Sequence, residues 1–143
     1  MTSFFILGST LTLIAAIYAR TLAMPGRVVL FVAALCSFGL TIFPTPFDGV
    51  SHIHRMFAIA FFAASAGWQL FAMRFRKDAP IVLRPAAIIV ASLVQAALAI
   101  TFLIVWANPA STDIGVWERV VSFVQASYLS TVVMWCWVTQ RRA

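Results

Sequence analysis

The sequence predicts an all-α polytopic membrane protein with five transmembrane helices, its N-terminus outside and its C-terminus cytoplasmic. Three observations predict it. Only 10% of the 143 residues are charged and 63% are hydrophobic, against about 25% charged in a soluble domain. Apolar runs approaching the ~20 residues that a bilayer requires recur at roughly 4–19, 28–43, 52–73, 86–107 and 116–139, in one domain spanning 1–143. Finally, the basic residues are sorted. Arg20 and Arg27 lie between the first two runs, Arg74, Arg76, Lys77 and Arg84 between the third and fourth, and Arg141 and Arg142 at the end. A five-helix zigzag puts these on one side and leaves only Arg55 and Arg119 on the other. Lys and Arg collect in cytoplasmic loops, which sets the orientation. The same sorting argues against nucleic acid as the reason for the net charge of +6.

The first run reads as a retained helix rather than a secretory signal, because no basic residue precedes Phe4 and the arginines follow the apolar stretch instead. Membrane strands would show short alternating segments rather than long unbroken runs. Helices satisfy every backbone group within one segment, so they are the remaining choice. Gly8, Thr12, Ala15, Ala16 and Ala19 recur at helical spacing on helix one and predict a close helix contact. The stretch Ala23-Met24-Pro25-Gly26 predicts a tight turn into helix two, which Pro44 and Pro46 end.

Phe43 and Phe47 are expected at headgroup depth, with the chain turning at Asp48-Gly49 and Ser51 capping helix three. His54, Ala58, Phe61, Ser65 and Gln69 form the expected inward stripe of that helix, with Trp68 off it and near lipid. The loop Arg74 to Pro85 reads as a basic cytoplasmic connector. Helix four carries Ser92, Gln95 and Ala99 on one stripe, meets the outer interface at Trp106 and ends at Asn108-Pro109. Ser111-Thr112-Asp113 offers a cap for helix five, whose face Glu118, Ser122, Gln125 is the most polar transmembrane stripe. Trp135 and Trp137 anchor its inner end. Cys36 and Cys136 have no C-x-x-C spacing and read as buried structural thiols.

The hydrophilic stretch Ile42 to Arg55 and the segment Asn108 to Arg119 are expected to meet on the outer side. Asp48, His52, His54, Arg55, Glu118 and Arg119 are the candidate ligand-binding residues. Three readings compete. One is an anion or lipid-headgroup site, with Arg55 and Arg119 in the first turns of helices whose partial positive ends face outward. A second is a set of structural ion pairs, Glu118 with Arg55 or His54 and Arg119 with Asp48. The third is zinc held by Asp48, His52, His54 and Glu118, which have the right donor types. Two histidines two residues apart on a helix point about 200° from each other, which weakens the zinc reading. No Ser-His-Asp arrangement, phosphate loop or nucleotide fingerprint is present.

At these residues the chain resembles a bacterial membrane-protein family of unknown function, distantly similar to the Frag1/DRAM/Sfk1 group. The resemblance rests on Phe43-Pro44, Asp48, and His52 or His54 followed by Ala58, then on Gly115, Glu118 and Arg119 opening the last helix. It covers roughly Val28 to the end. Family members usually have six helices, with an additional one before the first helix seen here, and this chain has two candidate histidines where one is matched. The resemblance implies a plasma-membrane protein without an assigned reaction. The expectation is a multi-pass plasma-membrane protein that is not an enzyme and needs no cofactor. It would bind a membrane lipid headgroup or a partner subunit, or assemble with its own copies. The alternative is a membrane-embedded, zinc-dependent hydrolase or transferase.

Overall fold

A computed structural model describes residues 2–44, 51–108 and 112–141, with side chains over 5–44, 51–108 and 112–139. Five α-helices follow one another: α1 Thr2–Tyr18, α2 Met24–Ile42, α3 His52–Phe71, α4 Pro85–Ala107 and α5 Ile114–Arg141. One 3-10 turn, Ile81–Leu83, precedes α4, and there is no strand among the described residues. Met24–Ile42, Pro85–Ala107 and Ile114–Thr139 are each long and apolar enough to cross a membrane. The apolar part of α1, Phe5–Tyr18, is shorter. At about 1.5 Å per residue, the 20 residues of α3 match a ~30 Å hydrocarbon core in length, but the helix opens His-Ile-His-Arg.

Several expected boundaries move. The stretch at 23–26 is not a turn: Met24, Pro25 and Gly26 form the first turn of α2, where the Arg27 N–H donates to Ala23 O at 3.2 Å. Proline suits that position because the first helical N–H groups have no partner to lose. The chain reverses earlier, where Arg20 N–H reaches Tyr18 O at 2.8 Å and Leu22 N–H reaches Ala19 O at 3.0 Å. The third helix stops at Phe71 and the fifth begins at Ile114, two residues from their expected ends. Asp113 O receives the N–H groups of Val116 and Trp117. Ser111, part of the expected cap, lies outside the described residues.

The chain gathers into two compact units, Met1–Ala72 and Met73–Ala143. In the first, α2 packs on both α1 and α3. The pairs are antiparallel: residues at the start of α2 meet the ends of α1 and α3, and later residues meet earlier ones. Small side chains line this helix, with Gly26, Ala33, Ala34, Ser37 and Gly39 all buried. A Cβ on Gly26 would come within 2.5 Å of Ala72 Cβ and 2.7 Å of its backbone N. One on Gly39 would come within 2.5 Å of the Phe57 ring. The close approach expected at Gly8 is not there, since a Cβ on it would meet nothing within 4 Å. Ser9 serves instead: its hydroxyl and that of Ser37, both buried, are 2.7 Å apart and share a hydrogen bond.

The Trp68 expectation is also overturned, because the side chain is 1% exposed. Its angular position explains why. Fourteen residues at about 100° each bring Trp68 to within about 40° of His54, on the same face as the polar stripe. In the second unit α4 packs on α5, and the 3-10 turn packs on both. Ile88 and Gln95 are buried on α4, and Val121, Ser122, Gln125, Leu129, Val132 and Cys136 on α5. The polar face predicted for α5 is therefore an inward one. Both cysteines are buried thiols outside any disulfide.

Candidate functional site

The candidate residues divide between the two units, so the geometry is that of each unit by itself. In the first, His52, His54 and Arg55 occupy the opening turn of α3. Ser51 is the cap of that helix: in extended backbone (φ −85°, ψ 109°) it accepts the His54 N–H on its hydroxyl at 3.2 Å. Its carbonyl takes the Arg55 N–H at 3.0 Å. The two imidazoles separate as helical spacing demands. His52 is exposed, whereas the half-buried His54 turns back to α2, its Nδ1 2.8 Å from Phe43 O. A carbonyl oxygen only accepts, so Nδ1 carries the proton and a neutral ring keeps its lone pair on Nε2. The Phe43 and Phe57 rings stack with centroids 5.7 Å apart and planes 7° from parallel. Phe43 N–H closes on Gly39 O at 2.9 Å. His54 therefore satisfies a carbonyl that the end of α2 leaves over.

Arg55 is exposed on the same turn. Asp48 lies outside the described residues. In the second unit Glu118 is half-buried, on the face that continues to the buried Ser122 and Gln125, and Arg119 is exposed beside it. Neither Ser122 Oγ nor either polar atom of the Gln125 side chain has a hydrogen-bond partner among the described residues. Within either unit no three His, Cys, Asp or Glu side chains gather where one ion could join them, among the described residues. In unit one, helical spacing already keeps His52 and His54 from a shared ion. His54 alone has the orientation of a ligand, with its second ring nitrogen fixed by a backbone carbonyl.

Other polar side chains act where composition alone suggested only loop charge. Arg27 reaches from α2 to the last turn of α1, donating from Nε to Ala16 O at 2.7 Å and from Nη2 to Ile17 O. A cation at a helix C-terminus meets its partial negative end as well as its orphan carbonyls. Arg84 donates to Lys77 O at 2.7 Å and Ala79 O at 3.1 Å. Arg76 holds Asp78 through Nε–Oδ1 at 3.0 Å and Nη2–Oδ2 at 2.8 Å. These bonds to Arg76 draw the Asp78 carboxyl below the usual carboxylate range. A guanidinium in the first turn of a helix, beside a turn that carries Arg20, was the available signal for Arg27. The chain matches no family model, no curated protein and no solved structure.

Proposed function

We propose that this chain is a five-span plasma-membrane protein, N-terminus outside and C-terminus cytoplasmic, that acts by binding rather than catalysis. Its outer edge holds the phosphate of a lipid headgroup. The observation that carries this reading is the opening turn of α3, where His54 faces away to Phe43 O and Arg55 is exposed. The first-turn N–H groups and the partial positive end of the helix favour an anion beside that guanidinium. Alternation across a bilayer starts α5 on the same side, with exposed Arg119 in its first turns. The apolar surface of α4, which the described residues of its own unit leave mostly uncovered, suits lipid, a partner subunit or further copies. Native mass spectrometry of the protein in mild detergent tests the reading. Arg55→Ala and Arg119→Ala are expected to lose bound lipid that His52→Ala retains; equal lipid retention in all variants would sink it.

One observation favours a second reading, a zinc-dependent membrane hydrolase or transferase. With Nδ1 fixed on Phe43 O, His54 presents Nε2 as a metal ligand would. Zinc measured near one equivalent in the purified protein, and lost on His54→Ala, would select it over lipid binding.

A further inference from the structure

The loop that joins α3 to α4 carries the most exposed large apolar side chain among the described residues: Phe75, 82% exposed. Ile81 beside the 3-10 turn is 57% exposed. Around them stand Arg74, Arg76, Lys77 and Arg84 against one carboxylate, Asp78, a net charge of +3 for the loop. The loop is nonetheless a built structure. Arg74 N–H donates to Leu83 O at 2.8 Å, Ala79 N–H to Arg76 O at 3.1 Å and Leu83 N–H to Pro80 O at 2.9 Å. The buried Leu83 plugs it into its unit, and the Arg84 guanidinium ties Lys77 and Ala79 from within. Arg76 is held on Asp78. Phe75 and Lys77 are thus presented outward by a fixed frame, an aromatic ring next to a cation.

We propose that this loop is an interfacial anchor that docks on anionic lipid headgroups, Phe75 entering the bilayer surface and Lys77 meeting a lipid phosphate. The occupant follows from the chemistry. A ring in water gains by moving to the headgroup level, where aromatic side chains settle. A polybasic segment adjoining membrane helices gains about fivefold in binding per cation near an anionic surface. The anchor is distinct from the outer-edge site, since it lies at the opposite ends of α3 and α4 from the His54 turn and Asn108. Its test uses the full-length protein in nanodiscs, which expose both faces. Discs of phosphatidylcholine alone are compared with discs that also contain phosphatidylglycerol, and chymotrypsin cleavage after Phe75 is followed by mass spectrometry. The protease must take the ring into its own pocket, so a docked Phe75 is protected. Cleavage is expected to be at least about fivefold slower in the anionic discs, with the difference gone at high salt and cut by about fivefold in Lys77→Gln. Equal cleavage of the wild type in both discs would overturn the anchor, and would be the result if an acidic protein were the true partner. Protection that survives both high salt and Lys77→Gln would overturn it too. Co-elution with the disc reports membrane insertion separately, so a failed anchor and a failed membrane assignment give different results.

Discussion

The Nδ1 of His54 lies 2.8 Å from the carbonyl oxygen of Phe43, so a side chain from the first turn of α3 closes the end of α2. The stacked Phe43 and Phe57 rings and the close pass of Gly39 build the rest of the same corner. The two histidines consequently differ in their work, although they are two residues apart.

Replacing His54 by Ala is expected to destabilise the protein by about 1 kcal/mol, the net worth of its hydrogen bond to the Phe43 carbonyl. His52→Ala, on an exposed side chain, should stay within about 0.5 kcal/mol of wild type. Chemical unfolding in detergent, followed by far-ultraviolet circular dichroism, compares the two; equal losses would refute the asymmetry.

The glycines of α1 and α2 should respond in opposite directions. Gly26→Ala puts a methyl group into the Ala72 backbone, which cannot yield as a flexible side chain would, and should cost about 1–3 kcal/mol. Gly8→Ala meets open space within a helix and should be neutral or stabilise by about 0.5–1 kcal/mol. Thermal unfolding of the two variants side by side is the measurement.

Arg27→Ala removes both bonds to the last turn of α1. That turn should fray, with faster amide exchange over its final residues and a loss of about 1–2 kcal/mol. Arg27→Lys should restore less than half, because an ammonium lacks the planar fork that spans two carbonyls. Full rescue by lysine would show that charge alone matters there.

Asp78 gives a pH prediction whose sign is fixed. Its carboxyl is held below the usual range by the bonds to Arg76. The contribution of the pair is therefore complete above the ordinary carboxyl pKa and is lost as pH falls through the lowered value. Both groups are well exposed, so the effect on stability is small. Carbon-13 titration of the Asp78 carboxyl should move upward in Arg76→Ala; an unchanged midpoint would dissociate the shift from the pair.

The five helices were legible because long apolar runs with few charges have one physical solution in a chain of this composition. Ser51 was legible too, since a hydroxyl before a helix has a local partner, and so was the inward face of α5 through Ser122 and Gln125. What sequence spacing could not supply was the neighbour. Gly26 and Gly39 matter because Ala72 and Phe57 lie against them, while Gly8, identical in kind, faces open space. Pro25-Gly26 carries the signature of a turn and equally that of a helix start followed by a close contact. Trp68 was misplaced for a different reason: the expectation sets it off the inward stripe, although its angle on α3, about 40° from His54, puts it on that face. At the candidate site, spacing separated His52 from His54 but could not say which would turn back to α2. That choice belongs to Phe43 O, eleven residues earlier.

In the first unit every helix packs on its neighbour in the chain. The serine pair of α1 and α2, the Arg27 clasp and the Gly26 and Gly39 passes all involve residues no later than Ala72. None of these contacts draws on a residue of the second unit, Met73–Ala143. They can therefore form as soon as Ala72 is clear of the ribosome, while later residues are still being added. The first three helices thus have what they need to close on one another in the order in which they are made.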